Sequence, residues 1–84
     1  MPTVLLIDGW RFFFYANENT EPPHIHVRKA EKECKYWLDE KMFDAKEVFS
    51  YNMSSADKRT VRKIIFENFE YLKKEWKEFK RKSK

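Results

Sequence analysis

Apolar and aromatic side chains recur at steps of two along the first part of the chain and at steps of three and four along the last part, so a sheet region precedes a helix. Thr3 to Asp8 and Arg11 to Ala16 are β-rich runs around Gly9 and Trp10, and Asp8-Gly9 is a strong hairpin signal. Whether the loop is Asp8-Gly9 or Gly9-Trp10, Leu5, Ile7, Phe12 and Phe14 share one side and Leu6, Phe13 and Tyr15 the other. Both faces are apolar. A helix covers one; the other needs more chain or a partner.

Asn17 to Pro23 has loop composition, and Pro22-Pro23 gives a stiff, extended entry into a third strand, His24 to about Lys29. A fourth strand runs from Glu33 to about Asp39. A Glu31-Lys32 turn sets Ala30 opposite Glu33, Arg28 opposite Lys35, Val27 opposite Tyr36, His26 opposite Trp37 and Ile25 opposite Leu38, which separates polar from apolar positions. Between Glu40 and Met53 the pattern is weaker, and Val48 to Tyr51 is the place for a short fifth strand.

Ser54 and Asp57 form a capping-box pattern that starts a helix near Ser55. Val61, Ile65, Phe69, Leu72, Trp76 and Phe79 make an unbroken stripe, predicting one helix to about Lys80, nearly 40 Å long at about 1.5 Å per residue. Its last turns overhang the sheet or pack on another chain. The fold class predicted is α+β: an antiparallel sheet of four strands, five if Val48–Tyr51 joins, built from two hairpins and packed against one long C-terminal helix. Residues 1–84 form a single domain, with 1–53 the sheet region, 54–81 the helix and 82–84 a basic tail.

With 84 residues, the chain relies on eight Phe, four Tyr and three Trp for its core. Cys34 is the lone cysteine and points to the core side as a small apolar filler. No run is long and apolar enough for a membrane span or signal peptide, which implies a cytoplasmic protein. The net charge of +4 is uneven: seven basic and ten acidic side chains to residue 57, then eleven and four. Arg59, Arg62, Lys63, Lys73, Lys74, Lys77, Lys80 and Arg81 make the helix a candidate surface for nucleic acid or an acidic partner, or simply a solvated face.

The candidate chemistry lies in Glu21 to Lys29. Strand alternation projects His24, His26 and Arg28 from one face and Ile25 and Val27 from the other. With Glu21, Lys35, Trp37 and Asp39 they form a polar comb. Arg28 facing Lys35 would favour an anion between them, Trp37 could stack a base, and His24 and His26 could act as acid and base. The two histidines are also weak metal candidates, about 6.6 Å apart at Cα, but two ligands are too few; no metal or other cofactor is called for.

The blocks Met-Pro-Thr at residues 1 to 3, Ile-Asp-Gly-Trp-Arg-Phe-Phe-Phe-Tyr at 7 to 15, Glu-Pro-Pro-His-Ile-His-Val at 21 to 27 and Lys-Tyr-Trp-Leu-Asp at 35 to 39 resemble the small prokaryotic domain of unknown function 4160. That resemblance covers nearly the whole chain and implies a fold but little chemistry. Members are often encoded beside another small protein, which implies a small protein partner and a toxin-antitoxin-like role. Where the family commonly has glycines between its third and fourth strands, this chain has Ala30-Glu31-Lys32, so Glu31 or Lys32 takes positive φ at some cost. Three functions follow: a binding or regulatory module for nucleic acid or a small protein, placed ahead of catalysis; a metal-independent phosphodiesterase, an RNase-like toxin using His24 and His26; or a homodimeric interaction protein.

Overall fold

The computed structural model describes residues 3–14, 22–39 and 41–82. Tyr15, Ala16, the loop up to Glu21 and the tail residues 83 and 84 lie outside the described residues. Five strands precede two helices: β1 (Thr3–Ile7), β2 (Trp10–Phe13), β3 (His24–Lys29), β4 (Lys32–Asp39), β5 (Asp44–Tyr51), α1 (Ser55–Glu67) and α2 (Phe69–Lys82). The strands form one antiparallel meander in chain order.

The first hairpin closes on Asp8-Gly9, with φ 51° and 83°, and sets Ile7 opposite Trp10. Two consecutive positive φ values suit this dipeptide because Asp tolerates the left-handed region and Gly enters it freely. The second hairpin corrects the expected register. Its two-residue loop is Ala30-Glu31, so Lys29 faces Lys32, Arg28 faces Glu33, Val27 faces Cys34, His26 faces Lys35, Ile25 faces Tyr36 and His24 faces Trp37. A two-residue shift keeps every side chain on its expected face and changes every partner. Arg28 therefore meets a carboxylate, not Lys35. With the loop moved back by one residue, the positive φ falls on Ala30, 54°, and not on Glu31 or Lys32, at a cost of roughly 1–2 kcal/mol. The bond from Asn52 Nδ2 to the Glu31 carbonyl, 3.0 Å, ties this turn to the end of β5.

The fifth strand is present and longer than expected. Lys35 pairs with Phe49 and Tyr36 with Glu47, which leaves Val48 as an inserted bulge residue. The insertion breaks the period-two pattern in mid-strand, which is why only its second half stands out in the sequence.

One face of the sheet carries Trp10, Phe12, Phe14, Ile25, Val27, Cys34, Tyr36, Leu38 and Ala45 into the core, against Val61, Ile64, Ile65, Phe69, Leu72 and Trp76 of the helices. Cys34 is fully buried, as expected of an apolar filler. The capping box at Ser54 and Asp57 is formed in both directions.

The single long helix is replaced by two. At Asn68, φ −120° and ψ 21°, the backbone leaves the helical region. Its N–H is shared between the carbonyls of Ile64 and Ile65, and its Nδ2 donates to Ile64 O at 2.8 Å. A short amide that competes for backbone carbonyls is a recognised cause of such a break. Leu72 N still donates to Asn68 O at 2.9 Å, so the chain bends and then resumes. The bend also removes the expected overhang. Trp76 is buried, packing on Phe14 at 5.2 Å between ring centroids, and Phe79 lies 5.2 Å from the same ring.

Candidate functional site

The face of the sheet opposite the core side is laid out in three rows that run across the strands, and α2 reaches one end of it, where Trp76 lies against His24. The first row is Leu6, Arg11, Arg28, Glu33 and Tyr51; the second is Phe13, His26, Lys35 and Phe49; the third is His24, Trp37 and Lys46. Strand alternation puts the expected comb of His24, His26, Arg28, Lys35 and Trp37 on this face. Register then decides which members touch.

The histidines are not at the open surface the comb required. His24 is fully buried. Its Nδ1 lies 2.9 Å from the Pro22 carbonyl, which can only accept, so that nitrogen carries the proton. Its ring lies 4.8 Å from Trp76, 5.2 Å from His26 and 5.7 Å from Trp37, edge-on to the last two. His26 stacks on Phe13 at 5.6 Å and 22° and is 3% exposed. Trp76, on α2 beyond the break at Asn68, lies against His24 at the start of β3. Alternation alone could not reveal this, since it assigns a side without saying what covers it.

The cations separate into two groups. On the sheet, Arg28 is exposed, Arg11 lies 4.9 Å above the Phe13 ring with its Nε donating to Thr3 at 2.7 Å, and Lys35 Nζ lies 4.8 Å above Trp37. Two pairs of cations face each other directly, Lys29 with Lys32 beside the β3–β4 turn and Arg11 with Arg28 across β2 and β3. On the face of the comb the like-charge pair thus lies one strand away from its expected position.

On the helices, Arg62 pairs with Asp44 at 3.5 Å, donates to the Ala45 carbonyl and lies over Phe66. Lys73 pairs with Glu70 at 3.2 Å and Arg81 with Glu78 at 2.7 Å. Arg59, Lys63, Lys74, Lys77 and Lys80 are exposed. Carboxylates thus meet Arg62, Lys73 and Arg81 where they stand.

Asp39 closes the β4–β5 turn, with Oδ1 accepting the N–H groups of Lys41 and Met42 at 3.1 Å each and Oδ2 lying 3.8 Å from Lys46. Glu21 lies outside the described residues. Among the described residues no three His, Cys, Asp or Glu side chains converge as a ligand set. Burial pushes the Cys34 thiol up to about 12, with Glu47 and Glu33 adding to the effect. Its thiolate is suppressed at neutral pH.

Phe49, Tyr51 and Lys46 belong to this face but escape a sequence reading, because the Val48 bulge sets Lys46 and Phe49 three residues apart where a regular strand requires two. Phe49 is 40% exposed and Tyr51 60%, large values for aromatic side chains.

A five-stranded antiparallel meander, sealed on one face by a bent helix pair and lined on the other by rings and cations, defines a small two-layer α+β protein. The chain belongs to the family described as Domain of unknown function (DUF4160), which it matches over residues 9–77. No curated protein and no solved structure matches it. Among the described residues no helix is long and apolar enough to cross a membrane.

Proposed function

We propose that this protein is a binding module, with a regulatory rather than catalytic role, that holds single-stranded nucleic acid on the face of its sheet opposite the helices. The observation that carries this reading is the interleaving of accessible rings and cations in the three rows: Arg11, Arg28 and Tyr51, then Phe49, then Trp37 and Lys46, with Lys35 buried among them. Exposed rings at strand spacing stack bases without regard to sequence, and cations beside them follow the phosphates.

The phosphodiesterase reading has less support, because a proton shuttle must reach its substrate and the His24 ring is enclosed by Trp76, Trp37 and His26. The homodimer reading draws on Leu6, 66% exposed on the edge strand β1. Light scattering over a range of concentrations separates it from a monomeric binder.

The test is fluorescence anisotropy of labelled single-stranded RNA and DNA, titrated with the full chain at several salt concentrations. With about three phosphates engaged, log K falls against log salt with a slope of about −2. Tyr51→Ala and Phe49→Ala each weaken binding about tenfold. Absence of binding at low salt, or binding indifferent to both ring deletions, overturns the reading.

A further inference from the structure

At the end of the third row lies a cleft of about 530 Å³, lined by Pro22, Pro23, Trp37, Leu38, Asp39, Lys41 and Lys46. We propose that it is a subsite for a single nucleotide, with the base packed against Trp37 and the prolines and the phosphate held by Lys46 and Lys41. This rests on the reading of the sheet face as a nucleic-acid surface and names its most selective point.

Hydrogen bonds and a ring contact hold the walls in place. Leu38 N donates to the Pro23 carbonyl at 2.8 Å, which ties the diproline to β4. His24 hydrogen-bonds the adjoining Pro22 carbonyl and abuts the Trp37 ring at 89°. The buried histidine thus positions both the indole and the diproline. Its volume lies within the range of small-ligand sites, about 300–1,000 Å³. An indole and pyrrolidine rings form an apolar slot suited to a flat aromatic ring, and two ammonium groups at its border suit a phosphate.

Asp39 supplies selectivity. Its Oδ1 is occupied by two backbone N–H groups, and Oδ2 keeps capacity to accept beyond its 3.8 Å approach to Lys46. An ionised carboxylate accepts and does not donate, so it favours bases that present amine or ring N–H groups together. Guanine, with adjacent N–H and NH₂ donors, ranks first and uracil last.

Intrinsic fluorescence isolates the site, because Trp10 and Trp76 are 3% and 2% exposed while Trp37 is the more accessible indole. The full chain is titrated with GMP, UMP, ribose 5-phosphate and inorganic phosphate. Saturable quenching by GMP is expected, several-fold weaker with UMP and at least tenfold weaker with the two phosphates that lack a base. Lys46→Glu weakens GMP binding tenfold or more and leaves the circular dichroism spectrum unchanged. Trp37→Phe abolishes the quench while GMP still shifts amide resonances of Asp39 and Lys41.

Equal affinity for GMP and inorganic phosphate overturns the proposal, as does GMP binding unaffected by Lys46→Glu. Oligonucleotide binding that survives Lys46→Glu but is lost in Tyr51→Ala removes the cleft and leaves the wider face standing. GMP binding without oligonucleotide binding does the reverse, assigning the cleft to free nucleotide. Failure of both removes both.

Discussion

The imidazole of His24 sits 4.8 Å from the indole of Trp76, so a residue at the start of the third strand is packed by the last third of the chain. This contact places His24 in the packing of the fold. His24→Ala removes a fully buried ring and leaves a void against two tryptophans. We expect a loss of about 3 kcal/mol, roughly 12–24 °C in Tm for a domain of this size, in urea or thermal unfolding. A solvent-facing acid or base would lose within about 0.5 kcal/mol on the same truncation.

Ala30 stands at φ 54° in the β3–β4 turn. Ala30→Gly removes the Cβ that resists this conformation, and a gain of about 1 kcal/mol is expected despite the added freedom of the unfolded chain. Phe43, at φ 50°, gives the opposite sign. Its ring lies 4.5 Å from Phe69 and 6.0 Å from Phe66, so Phe43→Gly loses more packing than it relieves strain. Thermal unfolding of the two variants should move in opposite directions.

The backbone N–H of Ser54 holds the Asp57 carboxyl below its usual range, with help from the Lys32 ammonium 3.0 Å away. A carboxylate with a lowered folded value contributes stability above its unfolded value near 4. That contribution is lost as pH falls through the folded value. Asp57→Asn should therefore flatten the acid side of the Tm–pH curve below about pH 4. Ser54→Ala, which deletes the reciprocal acceptor, should cost about 1 kcal/mol at neutral pH.

Burial raises Tyr36 as well as Cys34 to about 12, with Cys34 and Glu47 adding to the shift at Tyr36. Both groups are neutral when protonated, so their contribution is intact below the unfolded values near 9 and 10 and is lost as pH rises toward 12. Above pH 9 stability should fall by about 1.4 kcal/mol per pH unit for each group titrating only in the unfolded chain. Denaturant midpoints measured from pH 8 to 11 check this, and Cys34→Ala should delay the onset by about one pH unit.

Much of this architecture is legible in the chain. The stripe from Val61 to Phe79, the cap at Ser54, the Asp8-Gly9 hairpin and the facing sets of His24 to Arg28 all follow from periodicity and turn chemistry. The bend is not legible, because the stripe keeps its spacing across Asn68 and an asparagine inside a helix carries no fixed meaning. Register in the second hairpin is hidden because Ala30-Glu31-Lys32 lacks the glycine that would mark the turn. Lys46, Phe49 and Tyr51 are hidden members of the candidate face because Val48 interrupts their alternation. The burial of its histidines is hidden too, since period two reports a side and not its cover.

Because each strand lies beside its neighbour in sequence, the sheet can assemble hairpin by hairpin during synthesis, N-terminal strands first. The helices that shield Phe12, Phe14 and Tyr36 are translated only afterwards. A nascent chain stalled before Ser54 would thus present one of its stickiest surfaces to the cell, and its survival would depend on chaperone occupancy more than on the equilibrium stability of the finished fold.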